Sequence, residues 1–564
     1  MYLLPGGLLL LILSFSARVS CLQLSKCNNT EVTLIRNTEL LTSLTLSNCT
    51  LPHLTNAFFV RFEHLLYLEL KHSGLSDLDD YSLNGLTKLQ YLSLAHNNLS
   101  SLRSWSSDPL GALTNLDLGH NILCKLRPNS FKLFPQLQQL DLRYNQISQI
   151  EQDSFDGLSH LKHLYLNGNQ LAHIDGSFFR GLHRLSSLSL QHNLIEVIDM
   201  DSFESNTHLR SLRVDQNLLS SLQFLSQRGL ARLIHLNLSN NGVQQLEPLV
   251  FSKNFELQDL DLSYNNITKL NKDSLSGLDS LERFNISHNY VDEIEVESLD
   301  SLVALLQVDI SSNRLTTLPD TLFHVNTQLE EIVLANNKIG EVSSQMMLNQ
   351  NHIRYIKLSG NEISDAAFLQ KLSPSVNRLS LYVDLSSNRL KSVNLSSLLH
   401  FRYINLADNI WSCDWLVANL VRKLPSSVNF ARPWTVINNW SENTTNIKGI
   451  DCIEDGSNRS IILQDVSGVP QQRSDNCDCG VAYDDTNPSP PPLTWPKIPT
   501  DRFDSRSVII WMLVAIAIAF AGLRWLRRFV DRNEKRKLGQ KMLHNVYVSK
   551  VQWQPIRTHP DQRS

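Results

Sequence analysis

Only 8 cysteines occur among 564 residues, so disulfides cannot staple this chain along its length. A strong charge of either sign is missing as well, because 51 Lys and Arg face 55 Asp and Glu. No GxSxG, HExxH, P-loop or dinucleotide fingerprint stands in a supporting context, so neither an enzyme nor a cofactor or metal is expected. Long apolar runs are confined to Leu8 to Phe15 and Val508 to Leu523, and residues 453 to 506 carry no heptads.

What the chain has instead is a period. LQQLDLRYNQISQI, residues 137 to 150, carries a lone asparagine at Asn145, and LTNLDLGHNILCKL and LKHLYLNGNQLAHI carry Asn121 and Asn169 at the same place. The column runs Asn97, Asn121, Asn145, Asn169, Asn193, Asn217, Asn241, Asn265, Asn289, Asn313, Asn337 and Asn361 at a constant spacing of 24. Cys49 and Ser73 precede it in register, and Asn388 and Asn409 follow at 27 and 21, which together restore the period. These are sixteen units of LxxLxLxxNxLxxL. The LxL pair of each unit reads as a short strand with alternate side chains inward, and one unit cannot bury that face alone. The expected fold is therefore an α/β solenoid with one parallel sheet. Its asparagines should form an internal ladder to backbone groups left unpaired at the bend. Phe59, Phe131, Phe155, Phe179, Phe203, Phe251 and Phe323, with Leu83, Leu275 and Leu299 as substitutes, should fill the convex side.

The array resembles the typical 24-residue class of extracellular leucine-rich repeats, which implies a horseshoe with a concave sheet, capped at both ends. The ends set its compartment. Residues 1–20 read as a secretory signal, although their start lacks Lys or Arg, with cleavage between Ser16 and Cys21. Residues 21–50 then form an N-terminal cap and first repeat, 41–411 the repeats, 412–480 a C-terminal cap and 481–506 a proline-rich stalk. The segment 507–526 reads as a transmembrane helix: nineteen residues of it span ~28 Å. Arg524, Arg527, Arg528, Arg532, Lys535, Arg536, Lys537 and Lys541 follow at once, so 527–564 should be a basic cytoplasmic tail. From residue 524 on there are eleven basic and three acidic residues, which leaves forty and fifty-two before it, a balance of −12 outside the cell. Such an exterior argues against nucleic acid as a partner. The tail is too short for a kinase or a Toll-type signalling domain. Tyr547 reads as an ordinary tail tyrosine.

LQLSKC, residues 22 to 27, fits the repeat with Cys27 in the asparagine column. Adjacent strands lie about 4.8 Å apart, within disulfide reach, so Cys27 should bond to Cys49. Cys124 reads as a small buried hydrophobe, and Cys21 lies at the expected cleavage site. The segments WSCDWLVANL and IKGIDCIEDGSNRSIIL look like the C-terminal cap of leucine-rich immune proteins of mosquitoes, here in a transmembrane form. That resemblance implies a recognition protein of innate defence, in some cases a disulfide-linked dimer. Such caps commonly open on Cys-x-Cys; here Trp415 replaces the second cysteine, which leaves Cys413 to pair most simply with Cys452. Cys477 and Cys479 either close on one another or cross-link two chains. The coiled coil that often follows such caps is missing, which puts a complement-like partner in doubt.

Sequons stand at Asn28, Asn48, Asn98, Asn237, Asn266, Asn285, Asn394, Asn439, Asn443 and Asn458. Asn237 and Asn285 lie between the paired hydrophobics of their strands, where glycans would obstruct the concave face. Contact is thereby biased to the N-terminal half. There the outward column reads Glu69, Ser93, Asp117, Asp141, Tyr165, Ser189 and Arg213, flanked by Tyr67, Tyr91, Arg143, Tyr144 and His163. Tyrosine and arginine are frequent interface anchors. His72, His96 and His120 also repeat at 24, with His192 and His288 further on. Stacked imidazoles about 5 Å apart can bind a metal or sense pH, yet histidine before the repeat asparagine is ordinary, so a structural role is expected. The reading is a cell-surface recognition protein for an extracellular protein or glycoconjugate, acting as receptor or co-receptor; the alternative is a cell-adhesion protein of development.

Overall fold

The computed structural model describes residues 20–102, 110–372, 376–394, 401–420, 428–429, 445–447 and 450–453, all within one compact unit, Met1–Ile461. The second unit, Ile462–Ser564, lies outside the described residues.

Eighteen strands form one sheet: Cys21–Ser25 ahead of the first repeat, one strand in each of sixteen repeats, and Val428–Asn429 in the C-terminal cap. Every pairing in it is parallel and slips by one repeat, as where Leu140 meets Leu164 across Gln139–Asp141 and His163–Tyr165. Leucines at the two inward positions are buried completely, Leu140 and Leu142 among them. Below the sheet, the rings of Phe131, Phe155, Phe179 and Phe203 stack in sequence at centroid distances of 5.8, 6.3 and 5.8 Å. One continuous core results, in which each turn supplies one side of its neighbour's packing.

The asparagine ladder closes the bend. Asn145 Nδ2 donates to the carbonyls of Leu118 and Leu142 at 3.1 and 3.0 Å, and its Oδ1 accepts from Leu123 N–H at 3.1 Å. A side chain with a donor and an acceptor on one short stem is required, because one turn's carbonyl and the same turn's amide must both be met inside the stack. Asn388 keeps these bonds despite its 27-residue spacing, donating to Leu358 and Leu385 at 2.9 and 3.1 Å. The extra length is absorbed away from the sheet. Just before the asparagine the backbone turns left-handed, as at Tyr144 with φ 51°.

Both ends are sealed. Cys27 bonds to Cys49 with their Cα atoms 4.3 Å apart, and the adjacent helix Asn29–Thr33 begins in a capping box between Asn28 and Glu31. At the other end Cys413, the first residue of helix Cys413–Leu420, bonds to Cys452. Trp415, standing where a second cysteine is common, stacks on buried Trp411 at 5.1 Å. Aromatic packing thus occupies the place of a second bridge. Cys477 and Cys479 lie outside the described residues, as do the signal, stalk, membrane and tail segments. Among the described residues no helix is long and apolar enough to cross a membrane.

Cys124 departs from expectation: it is exposed. It follows buried Leu123 on the outward side of the chain, so the thiol packs against nothing in the core.

Candidate partner-binding face

The short strands hold their outward residues at fixed spacing, which makes the concave sheet a rigid platform. At its N-terminal end Tyr67 and Tyr91 stack at 4.4 Å with their planes 6° apart. Tyr67 donates its hydroxyl to Glu69 at 2.7 Å, and Lys71 grips the same carboxylate at 2.7 Å. Burial, then this bond to an anion, pushes the Tyr67 phenol well above its ordinary range. Burial also opposes the charge on Glu69, but the bonds from Lys71 and Tyr67 outweigh it and lower its value.

From the strand of Tyr91, Ser93 Oγ donates to Asp117 on the next strand at 2.8 Å. Asp141, expected to meet solvent, is only 6% exposed. It is a positioning group: it accepts from the Arg143 backbone at 3.0 Å and from Arg143 Nε at 2.7 Å. The guanidinium so held lies 5.0 Å from the centre of the Tyr165 ring. Arg213 is aimed likewise by buried Asp215, at 3.2 Å. His163, half-buried on the same strand as Tyr165, has its value lowered by burial and then by Lys162. Tyr67, Tyr91, Asp117, Asp141, Arg143, His163, Tyr165 and Arg213 therefore share one face. Tyr144 stands apart, in the left-handed rim column, 47% exposed and stacked on His120.

Further along, a concavity of about 490 Å³ opens over the strands from Ser211 to Lys357. Its middle is a charged cluster: His235 meets Asp259 at 2.5 Å, and Arg283 binds the same carboxylate. Asn237 and Asn285 line this hollow, their amide oxygens accepting from Ser239 and Ser287 N–H at 2.9 and 3.0 Å. Asn48, Asn98, Asn266 and Asn394 are exposed, while Asn439, Asn443 and Asn458 lie outside the described residues. Among the described residues no group of His, Cys, Asp or Glu converges to hold a metal ion.

Two features escaped the sequence reading. Tyr355, Tyr382 and Tyr403 form an aromatic row at the C-terminal end of the sheet, with centroids 6.0 and 4.8 Å apart. Their spacings of 27 and 21 follow the same slip as the asparagine column, which is the signal that finds them. A second polar column stands thirteen residues after the repeat asparagine, where Asn206, Asn254, Asn326 and Gln350 replace the usual leucine or phenylalanine and are fully buried.

The leucine-rich repeat family matches this chain over residues 39–99, 111–171, 159–219, 207–267, 231–291 and 303–363, more than half its length. The chain is a leucine-rich repeat protein. Solved leucine-rich repeat folds resemble it at low identity. TLR13 in its complex with ssRNA13 superposes with a TM-score of 0.58 at 23% identity, over 72% of this chain and 57% of TLR13. Drosophila Toll in its complex with Spatzle gives 0.58 at 20%, over 70% of this chain and 61% of Toll. A leucine-rich repeat protein of Leptospira interrogans gives 0.51 at 21%, over 73% and 90%. The chain thus spans about six-tenths of the length of TLR13 and of Toll. These likenesses are of fold. No curated protein sequence matches the chain.

Proposed function

We propose that this leucine-rich repeat protein is a single-pass cell-surface recognition protein. Its repeats stand outside the cell, residues 507–526 cross the membrane, and the basic tail lies in the cytosol. The N-terminal half of the concave sheet takes an extracellular protein or glycoconjugate, and an associated protein carries any signal, as for an innate-immune receptor or co-receptor.

The observation that carries the reading is the Asp141–Arg143–Tyr165 assembly, in which a buried carboxylate fixes a cation over an outward aromatic ring. Such anchors cost little entropy on binding because they are ordered beforehand. Toll, solved with Spatzle, and TLR13, solved with ssRNA13, use the same fold to hold ligands of different class. The exterior balance of −12 favours a protein over RNA for this chain. Glycans on Asn237 and Asn285 would stand in the hollow over the strands from Ser211 to Lys357 and leave the N-terminal strands open. Alanine at Tyr91, Asp141, Tyr165 and Arg213, introduced one at a time, tests the face: loss of partner binding supports it, and unchanged binding at all four refutes it. Surface labelling of an N-terminal tag on intact cells, with a C-terminal tag protected, tests the topology.

A further inference from the structure

His72, His96 and His120 form one continuous stack at the rim of the same N-terminal strands. Their centroids lie 4.5 and 4.1 Å apart, and Tyr144 continues the column 4.6 Å beyond His120. Each ring projects from a left-handed residue, with φ of 52°, 56° and 55°. Each backbone N–H is tied to the next turn: His72 to the His96 carbonyl at 3.1 Å, His96 to Gly119 at 3.0 Å and His120 to Arg143 at 2.9 Å. The column ends on Gly168, where a Cβ would come within 2.5 Å of the Tyr144 ring. The Cα of each ring is fixed by its rung, and His96, half-buried between two exposed neighbours, can leave the stack least readily of the three.

Neutral imidazoles stack well at this distance. Charged ones do not, since two like charges about 4 Å apart repel by roughly 1 kcal/mol even in water and by more at a protein surface. Lys71 adds a further cation beside His72, its own carboxylate partner being Glu69. Arg143, next to Tyr144 at the far end, is held by Asp141. On the opposing side stands Asp117, which accepts from Ser93 and from Gly119 N–H. Burial, His120, His72 and Lys71 all lower the His96 value, and Asp117 alone raises it. One acid thus faces a column of three titratable rings and a lysine.

We propose that the His72–His96–His120 stack is a proton-operated release for the partner face: in mildly acidic surroundings it charges, loosens the rungs at the rim and discharges the bound partner. The proposal rests on the N-terminal sheet being that face. Asp141 and Arg143 link the two directly, because the His120 rung ends on the Arg143 carbonyl and the Arg143 side chain lies over Tyr165. Neutral pH keeps the stack closed and the arginine in place. Acid opens it from the rim inward.

The test uses tyrosine, which the fold itself places in this column at Tyr144 and Tyr264. Amide exchange of residues 91–98 and 115–123 is followed in the purified full chain at pH 7.4 and 5.5, corrected for intrinsic chemical exchange. In the wild-type protein, opening should accelerate about fivefold for each adjacent pair of charges formed. In H96Y, which removes both adjacent pairs, and in H72Y/H96Y/H120Y, the acceleration should vanish, while residues 283–289 respond alike in all three proteins. Equal acceleration in wild type and triple variant overturns the proposal, as does none in wild type. If acceleration depends on the stack but Arg143→Ala leaves partner capture unchanged, the switch stands and the partner face is wrong.

Discussion

Arg143 lies 5.0 Å over the ring of Tyr165 on the next turn of the coil while its Nε is held 2.7 Å from Asp141. A cation placed this way gives up little freedom when a partner arrives. Arg143→Ala should weaken partner binding by about 1–3 kcal/mol, and Arg143→Lys should recover only part of it, because an ammonium lacks the planar fork. Surface plasmon resonance with the identified partner measures both. Equal affinity for wild type and alanine variant removes Arg143 from the interface.

The internal ladder predicts a stability cost. Asn145→Leu leaves the Leu123 N–H unpaired in the core and removes one of two amide donors from each of the Leu118 and Leu142 carbonyls, which keep those of Asn121 and Asn169. With one buried group left unpaired, the loss should be about 1–3 kcal/mol. Chemical denaturation of the purified chain followed by circular dichroism checks this.

Asn206 makes the less intuitive case, because Leu158, Leu182 and Leu230 occupy its column in other repeats. Its Nδ2 donates to the Phe179 and Leu182 carbonyls, both at 3.0 Å, while its Oδ1 is buried without a protein partner. Asn206→Leu gains apolar contact and removes that orphan acceptor, while the Phe179 and Leu182 carbonyls keep the N–H groups of Leu182 and Leu185 at 3.0 and 3.1 Å. It should therefore change stability by no more than about 1 kcal/mol. A loss above about 2 kcal/mol in thermal unfolding would show that both carbonyls need the side-chain amide as a second donor.

The N-terminal cap should matter thermodynamically. Cys27→Ser with Cys49→Ser opens a loop of sequence separation 22, for which chain-entropy arguments give ~3 kcal/mol. Exchange should rise first in the strands Cys21–Ser25 and Ser43–Ser47, and fade toward the middle repeats. Uniform loosening along the solenoid would contradict nearest-neighbour stacking.

Stability should fall with acidity in two windows. His96 and His163 have folded values lowered mainly by burial, so the unfolded chain binds protons more readily. Their contribution is full above about pH 6.5 and is lost as pH falls through that value toward the lowered folded ones. Glu69 and Asp259 are lowered by hydrogen bonds that outweigh burial, and their contribution is lost below about pH 4. Thermal unfolding between pH 7.5 and 3.5 should show both declines, and only the upper one should shrink in H96Y.

The period of the asparagine column made the coil, its strands and the Cys27–Cys49 cap legible, because each depends on spacing alone. Burial within the sheet was not. Asp141 and Tyr165 share one strand position, yet the aspartate is covered by the arginine it binds, which spacing cannot reveal. Tyr144 neighbours Arg143 in sequence but turns onto the rim because its backbone is left-handed. Cys124 was misjudged because a small apolar residue beside a buried leucine says nothing of the side it faces. Asn206, Asn254, Asn326 and Gln350 keep the register of 24, but Leu230, Leu278 and Leu302 interrupt them, so their column reads as apolar.

On the proposed function, the N-terminal strands stand outside the cell and hold the partner. Proximity labelling from the ectodomain on intact cells tests it most directly, comparing wild type with Y91A/R143A/Y165A and with N237Q/N285Q. A defined extracellular protein should be labelled by wild type and by the glycan-site variant, and lost with the triple alanine variant. Undiminished labelling by the triple alanine variant, or labelling confined to cytosolic proteins, would contradict it.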